Sequence, residues 1–289
     1  MLFVGGLIFA LLCVFGSFAA SGGALAPLIA SMPFELLTIL GSGLGIFVMA
    51  NTKDSLKQVP SYIKLVLKGA RYGKEDYMQL LNLLFRLMKL SRSKGSTELE
   101  QHYENPEDSE IFKSVPTVLN DVRTRDFICD YLRLIGMGVE RDDAYLLDAA
   151  MERELKKNLS EDLHIAHCLQ SLADALPALG IVAAVLGVIK TMASISKPPA
   201  VLGEMIAGAM VGTFLGVLMA YGIFAPLSAK MQELVKKDAR YQDIVKTVLV
   251  AFVQGQSPEV CAEIGRKDIP EDIMPEFSEL DSMLSEIKN

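Results

Sequence analysis

Charge is missing from long parts of the sequence. Four stretches contain no charged side chain: residues 1–34, 36–52, 175–189 and 205–229. With 51% hydrophobic residues and a mean hydropathy of +0.33, the 289-residue chain is too apolar for an ordinary soluble enzyme. A helix needs roughly 20 mostly apolar residues to cross a bilayer core. The sequence therefore predicts four transmembrane helices, near residues 1–22, 33–52, 172–191 and 204–228.

Signatures of enzyme chemistry are missing as well. The sequence has no Gly-rich phosphate loop, no GxSxG and no HExxH. Its four cysteines form no CxxC pair, which predicts free thiols. His164 and His167 are three residues apart but have no third ligand at a suitable spacing. We therefore expect no enzyme activity, no metal site, no cofactor and no nucleic-acid partner.

Stretches typical of β-strands are also lacking, and the charged part of the chain has helical patterns. One apolar stripe ends at Gly95 and comprises Met78, Leu81, Leu84, Phe85 and Met88. Residues 142–176 contain neither glycine nor proline, which predicts one long helix running out of the membrane. We predict an all-α membrane protein, with a helical cytoplasmic domain inserted between transmembrane helices 2 and 3.

The distribution of charge predicts the topology. Nearly all charged residues lie in residues 53–173 and 230–289, whereas the two short loops hold few lysines. By the positive-inside rule, both charged segments and both termini are cytoplasmic. The predicted domains are transmembrane helices 1 and 2, a cytoplasmic helical domain, transmembrane helices 3 and 4, and a cytoplasmic tail, at residues 1–52, 53–171, 172–228 and 229–289.

Small residues recur every four positions in three of the predicted spans. They are Gly41 and Gly45 in span two, Ala183 and Gly187 in span three, and Gly208, Gly212, Gly216 and Ala220 in span four. Such faces, called seams below, let helices approach closely. Each seam alone is explained by packing within one monomer, whereas three seams together favour an oligomer.

No ionisable side chain is expected at depth in any predicted span. Such groups are costly in a membrane and mark ion pathways. The polar atoms that remain include the hydroxyls of Thr213 and Tyr221, and hydroxyls do not titrate at neutral pH. If the protein handles protons, a partner chain must supply the acid.

Four motifs resemble the MotA family of flagellar motor stator subunits. They are ENPEDSEIF (104–112), DFICDYLRLI (126–135), DALPALGIVAAVLGVIK (174–190) and AMVGTFLGVLMAYGIFAPL (209–227). The resemblance covers nearly the whole chain, with the same order and the same four spans. The ExbB and TolQ proteins of the same superfamily have three spans, so the layout favours a stator subunit. An ExbB or TolQ-like energiser and a passive membrane scaffold are the alternatives.

The resemblance implies a bacterial inner-membrane complex. Five MotA-like subunits form a ring in the lipid bilayer around two MotB-like chains, and each MotB-like chain contributes a membrane aspartate that binds the coupling ion. Ion flow then drives rotation of the ring and torque on the rotor. A partner with one span, a membrane aspartate and a peptidoglycan-binding domain would distinguish this function from the alternatives.

The resemblance also assigns roles to residues of the spans. Thr213 matches the family threonine that faces the partner's aspartate, and Tyr221 is expected on the same face. Ala184 occupies the position where sodium-driven relatives carry a threonine. Alanine offers no oxygen to a hard cation, which favours protons as the coupling ion. Pro177 and Pro226 match two family prolines, and we expect them to mark bends that couple ion binding to motion.

Three charged residues match family positions that engage the rotor protein FliG. They are Arg92, Glu100 and Glu154, and Glu154 is the weaker match. Glu98 lies close enough to leave the register of Glu100 open. Charges of this kind act over the ~10 Å Debye length. For the neighbouring charges, solvation and the positive-inside bias are sufficient explanations.

Overall fold

The computed structural model describes residues 2–139 and 141–288, and helices dominate both ranges. The helices in chain order are α1 (Leu2–Ala20), α2 (Leu25–Ala50), α3 (Lys53–Lys68), α4 (Lys74–Lys94), α5 (Ser96–Glu104), α6 (Glu110–Lys113), α7 (Pro116–Asn120), α8 (Val122–Gly136), α9 (Ala144–Met192), α10 (Pro199–Met219), α11 (Ala225–Val253), α12 (Pro258–Lys267) and α13 (Phe277–Lys288). A π-helical segment, Ala220–Phe224, joins α10 to α11. Neither range contains a strand, so the predicted all-α class is confirmed.

In the residues that the structure describes, four helical segments are long and apolar enough to cross a membrane, as the sequence predicts. The second, α2, begins at Leu25 rather than near residue 33. Pro33 and Glu35 therefore both lie inside α2. Glu35 is the eleventh residue of this 26-residue helix, and the expectation that no ionisable side chain lies at depth in a span stays a prediction.

Two helices extend well beyond their membrane-spanning parts. The predicted long helix is α9, which runs for 49 residues from Ala144 to Met192. On the other side of span four, helical structure continues through the π-helical segment into α11, so that Pro199–Val253 is a helical run of 55 residues. The predicted C-terminal tail thus begins as a direct continuation of span four.

The chain forms two compact units, each built from two separate parts of the sequence. Unit 1 comprises the residues up to Gly69 together with Glu161–Val235, and unit 2 comprises Ala70–Ser160 together with the residues from Lys236 onward. These limits differ from the predicted domain boundaries in two respects. The helix α3 belongs to unit 1, and most of the predicted tail belongs to unit 2.

Contacts within unit 1 explain the position of α3. Thr52 caps its N-terminus by accepting a hydrogen bond from the backbone N–H of Ser55. Tyr62, on the buried face of α3, donates a hydrogen bond to Asp162 of α9 over 2.7 Å. The apolar core of the unit lies among the spans and includes Ile39 and Leu176, both fully buried.

Unit 2 is organised around α4. Leu80, Leu81, Leu83 and Leu84 are all fully buried, so α4 is apolar on more than the single predicted stripe. A helix that is covered on several sides is a central helix rather than a surface helix. Among the elements that cover it, α13 contributes Leu280 and Leu284 to the same core. The predicted end of α4 is confirmed, because Gly95 follows it with φ of +85°.

Candidate functional site

In unit 1, α10 approaches α9 at backbone contact distance. A Cβ atom at Gly216 would lie 2.7 Å from the carbonyl oxygen of Leu176 and 2.8 Å from the Cα of Gly180. A Cβ atom at Gly187 would lie 2.5 Å from the Cβ of Ala209. Only glycine fits at such distances, because any side chain would enter the neighbouring helix. The predicted seams of spans three and four are therefore used within one chain.

The seam predicted on α2 has a different environment. Gly43 faces α9, where its Cβ would lie 3.3 Å from Leu172. Within the described part of the chain, Gly41 has only Leu37 of its own helix near its Cβ position, and Gly45 has no atom within 4 Å of it. The face of α2 that carries Gly41 and Gly45 is therefore uncovered in a single chain.

Glu35 lies against the same glycine face of α10. A Cβ atom at Gly212 would lie 2.6 Å from Glu35 Oε2, 3.0 Å from the Cβ of Ala183 and 3.3 Å from the backbone nitrogen of Ala184. The absence of a side chain at Gly212 leaves room for the carboxylate, and Thr213 is the next residue of α10. Reasoning from the sequence did not single out Glu35 as a functional residue, although the predicted span near residues 33–52 contains it.

The predicted ion-pathway residues are only partly brought together. Ala184 and Thr213 lie on α9 and α10 where the two helices touch, and the Cα of Thr213 is 3.3 Å from the Cβ position of Gly180. Both are partly buried. Tyr221, in the π-helical segment, is 67% exposed in the single chain. The structure thus places Glu35 and Thr213 near the contact of α9 and α10, whereas Tyr221 is exposed in the single chain.

The two predicted coupling prolines have different local structures. Pro226 follows the π-helical segment, in which the backbone N–H of Ala225 donates to the carbonyl oxygen of Ala220, five residues earlier. Proline has no N–H to continue the α-helical pattern, and a wider turn just before it absorbs the mismatch. Pro177, in contrast, lies within the continuous helix α9. A local departure from α-helix is thus present at Pro226 and absent at Pro177.

In unit 2, the guanidinium of Arg92 binds the turn that follows α11. Its Nη2 donates hydrogen bonds to the carbonyl oxygens of Gly255 over 2.8 Å and Gln256 over 2.7 Å. Its Cζ lies 6.0 Å from the centre of the Phe252 ring. The C-terminal end of a helix carries partial negative charge, which a cation stabilises. Arg92, predicted to meet the rotor, therefore also has a partner within its own chain.

The two predicted rotor-binding acids, Glu154 and Glu100, differ in whether a described residue binds the carboxylate. Glu154 accepts a hydrogen bond from the hydroxyl of Tyr131 over 2.9 Å. Burial raises the pKa of Tyr131, and the Glu154 carboxylate raises it further, so the phenol keeps its proton and donates this bond. Glu100, on α5, is exposed and has no hydrogen bond or ion pair to the residues that the structure describes. Glu100 is the freer carboxylate.

Potential metal ligands do not cluster in the described residues. No group of three or more histidine, cysteine, aspartate or glutamate side chains is placed to hold a metal ion there. Nε2 of His164 lies 3.7 Å from the Sγ of Cys168. The chemistry that the described side chains can offer is charge, hydrogen bonding and close helix packing.

Two family profiles match the sequence. Residues 4–95 match the N-terminal region of motility protein A, and residues 120–243 match the MotA/TolQ/ExbB proton channel family. Together the two matches include every span and most of unit 2.

Individual relatives are similar over almost their entire length. The chain is 40% identical to motility protein A of Salmonella typhimurium over 276 residues, which is 96% of this chain and 92% of that protein. It is 39% identical to motility protein A of Escherichia coli over 289 residues, which is 100% of this chain and 97% of that protein. It is 36% identical to the chemotaxis protein LafT of Vibrio parahaemolyticus, with 97% of each chain covered.

Two solved structures share the fold. The MotAB structure from C. jejuni superposes with a TM-score of 0.72 at 18% identity, covering 93% of this chain and 96% of that one. The flagellar MotAB stator complex from Bacillus subtilis gives a TM-score of 0.64 at 20% identity, covering 90% and 92%. At these identities the likeness concerns the fold.

Proposed function

Because the chain belongs to the MotA/TolQ/ExbB proton channel family, we propose that it is a stator subunit of a bacterial flagellar motor. The observation that carries this function is the 36–40% identity to flagellar motility proteins over nearly the full length. The match of residues 4–95 to motility protein A favours a stator subunit over an ExbB or TolQ-like energiser. Ion flow through the complex drives rotation and torque.

The coupling ion requires a partner. A MotB-like chain supplies the membrane aspartate that binds the ion, and the relatives of known structure are MotAB complexes. On this chain, the ion passes the helix pair α9 and α10 at Ala184 and Thr213, with Glu35 beside them. Ala184 has no side-chain oxygen with which to bind Na⁺, so the coupling ion is a proton.

Assembly into a ring is supported by the spans. The face of α2 with Gly41 and Gly45 is uncovered, and large apolar side chains such as Phe9 and Leu37 are exposed in the single chain. Lipid and neighbouring copies of the chain cover these surfaces in a ring of five. The complex lies in the inner membrane with both termini in the cytoplasm, as the lysines that follow α2 favour.

The surface that meets the rotor includes Arg92 and Glu100. The exposed carboxylate of Glu100 is available to a basic residue of the rotor protein FliG, and Arg92 is available to an acidic one. Glu154 contributes less, since its carboxylate is held by Tyr131.

The first test concerns the dependence on the partner. Expressed alone in cells, the chain should leave the cytoplasmic pH unchanged under a proton gradient, because the ion-binding aspartate belongs to the partner. The partner is then co-expressed in a shortened form that lacks its own channel-blocking segment. This co-expression should acidify the cytoplasm. The measurement is the fluorescence of a pH-sensitive protein in the cytoplasm. Acidification by the chain alone would contradict the proposed pathway.

The second test concerns Glu100. Glu100→Lys should reduce swimming several-fold while membrane insertion and complex size stay unchanged, because the carboxylate has no partner in its own chain to lose. A charge reversal at the matching basic residue of the rotor should restore part of the swimming. Glu107→Lys is the matched control, since Glu107 is an exposed acid whose ion-pair partner among the described residues is Arg125. Equal swimming of the Glu100→Lys and unsubstituted strains would remove Glu100 from the rotor surface.

A further inference from the structure

The turn that follows α11 has a defined backbone geometry. The N–H of Gln256 donates to the carbonyl oxygen of Ala251, and the N–H of Gly255 donates to that of Phe252. These two bonds form a Schellman motif, which requires a left-handed residue, and Gly255 has φ of +92°. The carbonyl oxygens of Gly255 and Gln256 both accept hydrogen bonds from side chains outside the turn, and that of Gln256 also accepts one from the Sγ of Cys261 over 3.7 Å.

Arg92 donates hydrogen bonds to these two carbonyl oxygens but uses only some of its N–H groups. A guanidinium carries five N–H groups in one rigid plane. The Nη2 atom of Arg92 uses its two N–H groups on the carbonyl oxygens of Gly255 and Gln256. The Nε and Nη1 groups have no hydrogen-bond acceptor among the described residues, and the side chain is exposed. One edge of the guanidinium is therefore fixed while the other remains available.

We propose that the Gly255–Gln256 turn is a positioning element, which holds the Arg92 guanidinium so that its free edge receives a carboxylate of the rotor protein in a fixed orientation. This inference rests on the proposed role of Arg92 at the rotor. An unrestrained arginine loses rotamer freedom when it binds, whereas a side chain already held at one edge loses less. The turn thereby strengthens rotor binding without touching the rotor itself.

Gly255→Ala is the variant that separates positioning from rotor contact. No atom lies within 4 Å of the Cβ position of Gly255, so the substitution changes only the backbone preference. An L-residue with a side chain is strained at this φ, which loosens the turn while Arg92 stays in place. We expect roughly a tenfold loss of stator recruitment to the motor. Gly255→Asn should lose much less, because asparagine tolerates the left-handed conformation.

Three further variants complete the set. Arg92→Lys keeps the charge but not the rigid fork, and should lose recruitment to a similar degree. Arg92→Lys combined with Gly255→Ala should be no worse than either alone, because both remove the same arrangement. Lys94→Gln removes a neighbouring positive charge from α4 and should recruit normally.

The experiment counts fluorescently labelled full-length complexes per motor at matched membrane expression, with the thermal unfolding of each purified complex as a check on folding. Normal recruitment of Gly255→Ala, together with impaired Arg92→Lys and Arg92→Gln, would overturn the inference and leave the rotor contact intact. Additive losses in the double variant would also overturn it. Normal recruitment of Arg92→Gln would refute the rotor contact itself. If Gly255→Ala does not assemble, the inference is tested by comparing the recruitment of Gly255→Asn with that of Arg92→Lys. Gly255→Asn should lose much less recruitment than Arg92→Lys.

Discussion

Gly216→Ala is expected to abolish swimming by separating two spans. The new Cβ would lie 2.7 Å from the carbonyl oxygen of Leu176 and 2.8 Å from the Cα of Gly180. Both are backbone atoms, which cannot move aside by rotating a side chain, so α9 and α10 must move apart. Overpacking of this kind costs about 1–3 kcal/mol even where side chains can adjust. We expect little assembled complex in the membrane and no rotation.

Gly203→Ala is the matched control for that substitution. Gly203 lies on the same helix, α10, and no atom lies within 4 Å of its Cβ position. Both changes raise helix propensity equally, so any difference between them comes from the contact with α9. Detergent-extracted complex measured by size-exclusion chromatography, together with swimming in soft agar, distinguishes the two variants. Normal assembly of Gly216→Ala would mean that the spans are not held at this distance in the motor.

Pro177→Ala is expected to stop rotation while leaving recruitment normal. Alanine restores an N–H that can donate to the carbonyl oxygen of Ala173, which stiffens α9 at the end of its membrane-spanning part. The helix is continuous from Ala144 to Met192, so the change does not need to rebuild any local structure. The measurement is the number of labelled stators per motor together with the speed of a bead attached to the filament.

Pro226→Ala tests the second proline by the same measurement. Here alanine makes a regular α-helix possible where the π-helical segment now lies, which would rotate the residues of α11 relative to span four. We expect normal recruitment and slow rotation again. If both proline variants recruit fully and rotate at full speed, the prolines serve packing alone and the coupling role is refuted.

Local sequence was sufficient to predict several elements. The absence of glycine and proline over residues 142–176 predicted α9, and Gly95 marked the end of α4. These features depend on neighbours in the chain, which periodicity and single residues report. The place of Ala184 in the proposed proton pathway, by contrast, came from the family resemblance and not from composition or periodicity.

Features that depend on distant residues could not be predicted in this way. The burial of α4 on several sides depends on α12 and α13, which come much later in the sequence, as well as on the nearby α5. The bonds of Arg92 join residues more than 160 positions apart, and no periodicity links them. Glu35 illustrates a third limit, because the sequence of α2 does not show that Gly212, on another helix, leaves space beside its carboxylate.

The contribution of α13 to the core of unit 2 has a consequence for the synthesis of the protein. α4 leaves the ribosome long before α13, and at 5–20 residues per second the delay is roughly 10–40 s. During that interval the leucines of α4 lack Leu280 and Leu284, while the translocon inserts two further spans. The nascent chain therefore exposes an unfinished apolar surface until translation is nearly complete, and a ribosome stalled before residue 277 would present a substrate for chaperones and proteases.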